Sequence, residues 1–286
     1  MPELPEVEVI CRGIRPLILE RTVMGIRGSG KKLRATVPVD DLKNSLSGDT
    51  ISKVTRRAKY LVVHFQSSAL LIFHFGMTGN LGIFSPETPT AKHDHLQLLF
   101  DNNTELRFND TRRFGSIHLL RDKTPDELEN SFFKTTGPEP FSEEFSPEYL
   151  HTLARDRTLP VKSFIMTNSV VAGIGNIYAN ESLFAAGIHP ASQIGSLSLE
   201  QWQLLTIELR SVLKHAIDCG GSTISDFVNA GQESGYFQVN FKVYGRADKN
   251  CSDCNNQIKK MTIGGRASFY CPTCQKLNSI KGYLKP

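Results

Sequence analysis

Four cysteines cluster near the end of the chain, as CSDC at 251–254 and CPTC at 271–274. The spacing C-x2-C-x16-C-x2-C is that of a four-thiolate zinc site. Two knuckles each present two sulfurs to one tetrahedral ion, at about 2.3 Å. Cys251, Cys254, Cys271 and Cys274 would fill every position of a single structural zinc, leaving none open for water. The metal holds the fold, and the chemistry must come from elsewhere. Cys11 and Cys219 lie in helix-like segments and read as small buried side chains. Between the knuckles, TIGGRASFYC predicts a hairpin with Arg266 near its turn. In a basic tail, an arginine so placed favours a phosphate contact over surface decoration.

A nucleophile is harder to find, because no G-x-S-x-G, P-loop or H-E-x-x-H motif is present. Attention turns to the opening, MPELPEVEVI. Proline in the second position commonly protects an N-terminus, yet once Met1 is removed Pro2 is itself a reactive amine. An α-amino group has a pKa of about 7.7–8.0 against about 10.4 for lysine, so far more of it is neutral at pH 7. Pro5 and Glu6 predict a helix start, whose positive end favours the neutral amine further. A secondary amine that attacks a sugar carbon forms an iminium with no N–H proton to lose. Such a cation is a strong electron sink, and Glu3 beside it could handle protons.

These residues need elements to hold them. After the first helix, TVMGIRG, YLVVHFQ, ALLIFHF, HLQLLF, TELRFN and SIHLL are short β-rich runs split by turns such as QSS and DNNT. They predict a largely antiparallel sandwich or barrel. Residues from about 125 to 146 are turn-rich and read as a linker. Ser146-Pro147-Glu148 then supplies an N-cap, a first-position proline and an early acid. Helical patterning runs on to LKHAIDC, which Gly220 and Gly221 end, and a polar, glycine-rich stretch follows. The fold class is therefore α+β in two domains. Residues 1–133 form a β domain, sandwich or barrel, flanked by helices and holding the candidate nucleophile, and 134–146 a linker. Residues 147–286 divide into a helical part (147–237) and a zinc module (238–286).

From residue 241 onward nine Lys/Arg face two acids, so the tail carries about +7 and the remainder about −3. A basic terminal module on a mildly acidic body points to a polyanion partner, with nucleic acid first. The apolar runs are strand-sized and no secretion signal is evident, so neither a membrane span nor a membrane partner is expected, and the chain is expected to be cytoplasmic.

Several separated segments resemble one family in order and over the whole length: MPELPEVE, RRAKYL (56–61), HFGMTG (74–79), RRFG (112–115), VAGIGNIYANESLF (171–184), the Gly/Ser stretch and the CxxC pairs. The chain resembles the formamidopyrimidine-DNA glycosylases, bifunctional base-excision enzymes for oxidised purines. The resemblance implies an N-terminal β-sandwich catalytic domain, then a helix–two-turns–helix domain followed by a β-hairpin zinc finger. It also implies a monomer acting on double-stranded DNA with oxidised purines or abasic sites, excising 8-oxoguanine and formamidopyrimidines opposite cytosine, then cutting by β,δ-elimination. Pro2 matches the nucleophile, Glu3 its acid/base partner, and Glu6 the second acid of the opening. Lys59 matches a basic residue at the lesion's phosphate.

Met77, Arg112 and Phe114 match the triad that fills the gap left by the flipped nucleotide, although core packing is the bland reading for Met77 and Phe114. His74 and Arg113 could contact phosphate at a strand end or be structural, and His93 joins the implied DNA-binding set. Gly175 and Asn176 match the phosphate-gripping turn, which would otherwise be a tight interhelical turn. Arg266 matches the zinc-finger arginine, and 220–238 the segment that closes over the everted purine. Thr111 departs from the pattern, where proline is usual, and Thr167-Asn168 replaces an acid–glutamine pair. Two competitors remain: an endonuclease VIII-like glycosylase for oxidised pyrimidines, and a zinc-finger protein that recognises damage without cutting.

Overall fold

The structure is a computed structural model that describes residues 2–221 and 241–277. The chain folds into two compact units, Met1–Lys134 with Ile217–Gln238, and Thr135–Ala216 with Val239–Pro286. The predicted segment at 220–238 lies almost wholly outside the described residues.

The first unit opens with α1 (Leu4–Ile18), one residue earlier than the proline suggested, so that Pro5 sits in the first turn, where its missing N–H costs nothing. Val7, Ile10, Cys11, Ile14 and Ile18 recur at helical spacing and are buried. Burial also pushes the Cys11 thiol up, as expected of an inert core sulfur.

Two four-stranded antiparallel sheets follow. One runs in the order β1 (Val23–Gly28), β6 (Asp94–Phe100), β7 (Glu105–Asp110), β5 (Gly79–Phe84). The other is ordered β2 (Ile51–Arg57), β3 (Tyr60–Phe65), β4 (Leu70–His74), β8 (Ser116–Leu120). Their facing side chains share one core, with Phe73 of β4 and Phe108 of β7 at 5.7 Å between ring centroids. This is a sandwich, and the barrel alternative falls away because the strands remain in two separate sheets. Strands β3 and β4 read as nearly unbroken apolar runs because both faces are covered. Val62, Leu70 and Ile72 turn outward onto Leu128 and Phe133.

Leu128 belongs to α3 (Pro125–Asn130), a helix in the stretch read as linker. Thr124 caps it, accepting from Glu127 N at 3.2 Å while Glu127 accepts from Thr124 N at 2.9 Å. Another short helix, α2 (Val39–Leu46), was also unforeseen.

In the second unit, Ser146 caps α4 (Pro147–Ala154) as predicted, its hydroxyl accepting from Tyr149 N at 3.1 Å. The short α5 (Val161–Ile165), α6 (Asn176–Ala185) and α7 (Leu199–Asp218) surround Tyr178, Phe164 and Trp202. Helix α6 is buried on nearly every side because two cores meet on it. Leu183 joins the helical core, while Phe184 packs with Val243, Ile258 and Phe269 of the cysteine module. Strands β9 (Lys259–Ile263) and β10 (Arg266–Tyr270) form the predicted hairpin. Its two turn residues, Gly264 at φ 55° and Gly265 at φ 72°, take the left-handed conformation that a two-residue hairpin needs.

Among the described residues no helix is long and apolar enough to cross a membrane.

Candidate active site

The mouth of α1 gathers the acids of the opening motif. Glu3 is the N-cap and is 1% exposed; its backbone N–H donates to Glu6 Oε2 at 2.8 Å. Glu6 is itself buried, and a Cβ placed on Gly221 would lie 3.4 Å from its Cγ. Pro2 is half-buried and directly precedes this carboxylate pair. A carboxyl held in such a place can exchange protons with whatever the neighbouring amine attacks. Glu8, one turn on, fixes the helix to β2: it accepts from Arg56 Nε at 2.9 Å and from Arg12 Nε at 2.7 Å.

Lys59 follows Ala58 in the two-residue turn between β2 and β3, where Arg57 pairs with Tyr60 and Ala58 is left-handed at φ 53°. His74 ends β4, its ring 4.8 Å from that of Tyr60. Burial, reinforced by the charges of Arg34 and Lys59, pulls the His74 pKa down to about 4. The imidazole is therefore neutral at pH 7. Its Nδ1 accepts from Gly76 N at 3.2 Å, which puts the ring proton on Nε2.

Two turns carry the remaining residues of the first unit. Residues 75–78 join β4 to β5, and 111–115 join β7 to β8. Each is a crossing from one sheet to the other. Met77 and Phe114 are 39% and 43% exposed, so neither is a core residue. The Arg112 guanidinium carbon lies 4.7 Å from the centre of the Phe114 ring. Gly76, at φ 61°, lets the turns touch, since a Cβ there would lie 2.4 Å from the backbone carbon of Phe114. Exposed apolar tips beside an arginine could wedge into a base stack while the cation meets an unpaired base.

Arg113 is left-handed at φ 58°, and its N–H donates to Asp110 O at 3.3 Å. His93 stands beside His95, 6.3 Å between rings, and its carbonyl accepts from Asp110 N at 3.0 Å. The loop leading to it is pinned by buried Arg107, which donates to the carbonyls of Thr88 at 2.7 Å and Pro89 at 3.2 Å. Sequence reasoning passed over Thr78, Arg107 and Asp110. Thr78 lies within HFGMTG without being singled out, Arg107 lies in no motif, and Asp110 stands two positions ahead of RRFG.

In the second unit Gly175 is the N-cap of α6 and Asn176 its first residue. Asn176 Nδ2 donates to Ala267 O at 3.1 Å, which sets it beside exposed Arg266. Buried Lys162 donates to the same carbonyl at 2.8 Å and to Ser268 Oγ at 2.7 Å. Further along α6, Asn180 Oδ1 accepts from Phe269 N at 2.7 Å. The Glu181 carboxylate accepts from the backbone N–H groups of Lys242, Val243 and Tyr244 at 2.7–3.0 Å. Ahead of α6, the departing pair is put to use: Thr167 Oγ1 donates to Ser163 O at 3.0 Å and Asn168 Nδ2 to Thr136 Oγ1 at 3.1 Å.

The four clustered cysteines hold their sulfurs within 4.8 Å of one another. Cys254 and Cys271 are 3.4 Å apart, Cys251 and Cys274 4.0 Å. A tetrahedron with arms of about 2.3 Å has edges of about 3.8 Å, so the set fits one metal ion. The Asn256 backbone N–H pulls the Cys254 thiol down to about 6, whereas burial pushes the Cys271 and Cys274 thiols up, so a metal ion bound by all four must displace protons from the latter pair.

Residues 1–117 match the family described as Formamidopyrimidine-DNA glycosylase N-terminal domain, and residues 136–228 the Formamidopyrimidine-DNA glycosylase H2TH domain. A Formamidopyrimidine-DNA glycosylase of Hahella chejuensis is 45% identical, over 96% of this chain and all of that one (100%). The enzyme of the same description from Geotalea uraniireducens is 44% identical over 96% of this chain and 100% of its own. Among solved structures, a Lactococcus lactis FPG mutant in complex with Fapy-dG containing DNA gives a TM-score of 0.88 at 33% identity, covering 96% of this chain and 100% of that one. The Lactococcus lactis Fpg with abasic-site DNA gives 0.86 at 32%, covering 96% and 99%. The chain belongs to the formamidopyrimidine-DNA glycosylase family, base-excision repair enzymes that are DNA glycosylases and also abasic-site lyases.

Proposed function

We propose that this protein removes oxidised purines, 8-oxoguanine and formamidopyrimidines paired with cytosine, from double-stranded DNA and then cuts the strand. The Pro2 nitrogen attacks C1′ of the damaged nucleotide, and the bond to the base breaks. The base leaves with a proton, and the sugar ring opens to an iminium on Pro2. Loss of a C2′ proton expels the 3′ phosphate, a second elimination expels the 5′ phosphate, and hydrolysis frees the amine. Glu3 moves the protons, while Glu6 holds the backbone of Glu3 in place. Lys59, His74, His93 and Arg113 meet the lesion strand. Met77, Arg112 and Phe114 fill the vacated space, which offsets an extrusion cost of a few kcal/mol. Asn176, with Gly175 at the head of α6, and Arg266 grip phosphate. The ion held by the cysteines is zinc, whose tetrahedral preference suits four thiolates with no open position. The work is done wherever the chromosome lies, in the cytoplasm.

The observation that carries this reading is the burial of Glu3, 1% exposed and tied to Glu6, immediately after Pro2. Borohydride trapping on an 8-oxoguanine:cytosine duplex tests it. The parent becomes covalently attached and Pro2→Gly traps weakly. Glu3→Gln releases base slowly yet still shifts the duplex on a gel. Parental excision by Glu3→Gln, or full activity in material whose intact mass retains Met1, would refute the assignments. Faster removal of thymine glycol than of 8-oxoguanine would move the chain to the pyrimidine branch.

A further inference from the structure

The Met77 turn and the Arg112–Phe114 turn are joined by more than contact. Thr78 Oγ1 donates to Asp110 Oδ1 at 2.5 Å and accepts from Arg112 N at 3.0 Å. The other oxygen of the same carboxylate, Oδ2, accepts from Gly115 N at 2.7 Å. Backbone N–H groups at both ends of the RRFG turn thus converge on one Thr–Asp pair, and the threonine belongs to the opposite turn. Asp110 is fully buried, at 0% exposure, and its own backbone is held as well. Its N–H donates to His93 O at 3.0 Å, and its carbonyl accepts from His95 Nε2 at 3.0 Å.

The turn needs such a clamp. Arg113 sits at φ 58°, a left-handed conformation that a side chain disfavours, so local preference does not hold the 111–115 turn. Thr111 adds freedom, since its φ is not locked as a proline's would be.

We infer that Thr78 and Asp110 are positioning residues for base extrusion, locking the two turns so that Met77, Arg112 and Phe114 enter the duplex as one body. This rests on the assignment of those three side chains to the vacated space. Neither positioning residue touches the reacting atoms. Their removal therefore slows the step in which a stacked base must leave, and spares cleavage at a site that has no base to unstack.

The experiment compares Thr78→Val, which loses the hydroxyl at nearly constant volume, with Thr78→Ser, which keeps it. Each is assayed by single-turnover excision of 8-oxoguanine from duplex, by cleavage of a preformed abasic duplex, and by fluorescence of a 2-aminopurine beside the lesion. Thr78→Val should excise about tenfold more slowly, the rate equivalent of one hydrogen bond. Its 2-aminopurine signal should rise correspondingly late, while abasic cleavage stays within about twofold of parent. Thr78→Ser should restore excision. Met77→Ala is the companion variant, and it too should slow excision. Slow Met77→Ala with a parental Thr78→Val overturns the clamp alone. A parental Met77→Ala overturns the gap-filling assignment and the clamp with it. Equal slowing of excision and abasic cleavage by Thr78→Val also overturns the clamp, because the hydroxyl would then support the site as a whole.

Discussion

Gly76 and Gly48 provide a controlled pair for testing how closely the two turns meet. Both are left-handed, at φ 61° and 80°, so alanine at either position pays about 1–2 kcal/mol for conformation. About 0.4–1 kcal/mol returns through the stiffer unfolded chain. Their surroundings differ. A Cβ at Gly48 meets nothing within 4 Å, whereas at Gly76 it falls 2.4, 2.5 and 2.6 Å from backbone atoms of Phe114 and Gly115. Backbone cannot rotate aside, so the turns must part, at a further cost of about 1–3 kcal/mol. Gly48→Ala should therefore lose about 1 kcal/mol and Gly76→Ala about 3. The assay is equilibrium urea unfolding with two probes. Trp202, the only tryptophan, lies in the second unit, so its fluorescence follows that unit, whereas far-ultraviolet β signal follows the first. The difference should appear in the β signal and leave the tryptophan midpoint unmoved. Equal losses from the two variants would mean that the turns do not touch, and the account of the paired turns would fail with them.

Two further outcomes follow from charge. His74 titrates near 4 in the fold against 6.5 when free, so the native state binds fewer protons between those values. Stability is fully present above about 6.5 and falls as pH drops towards 4, by up to about 3 kcal/mol, less what solvent screens at its partly exposed edge. His74→Gln should flatten that slope in urea titrations at pH 4.5 and 7, and an unchanged slope would refute the assignment. Glu181→Gln keeps one acceptor oxygen but turns an NH2 towards the N–H groups at 242–244, so about 2–3 kcal/mol should be lost from the second unit. The Trp202 transition reports it, and a shift below about 0.5 kcal/mol would show that the carboxylate is not the anchor described.

Much of this molecule could be read without coordinates, and what could not has identifiable causes. The cysteine knuckles and their hairpin were legible because four sulfurs and a Gly-Gly turn are set by local spacing. Strands β3, β4, β6, β7 and β8 announced themselves as apolar runs. Strand β2, ISKVTRR, did not, because only Ile51 and Val54 are buried, and β5, GNLGIF, was masked by its glycines. Helix α3 did carry a signal, the Thr124…Glu127 capping box, but it was submerged in a turn-rich composition. At the site, residue types with motifs were found and their supports were not. Thr78 and Asp110 are 32 residues apart and meet only because both crossings between the sheets lie side by side. Glu181 carried no signal, because a lone glutamate on a helix is ordinarily solvated, whereas two cores enclose this helix and turn the charge inward to three amides.

The placement of Met77 and Phe114 on the two crossings has a mechanical corollary. A push on either tip is carried into the two sheets and their shared aromatic interior, because Thr78 and Asp110 tie the turns together at their base. Interiors packed at that density resist compression, whereas a stack of base pairs bends and unstacks for a few kcal/mol. When the two bodies press together, the nucleic acid is the one that yields, and a site already loosened by damage yields first.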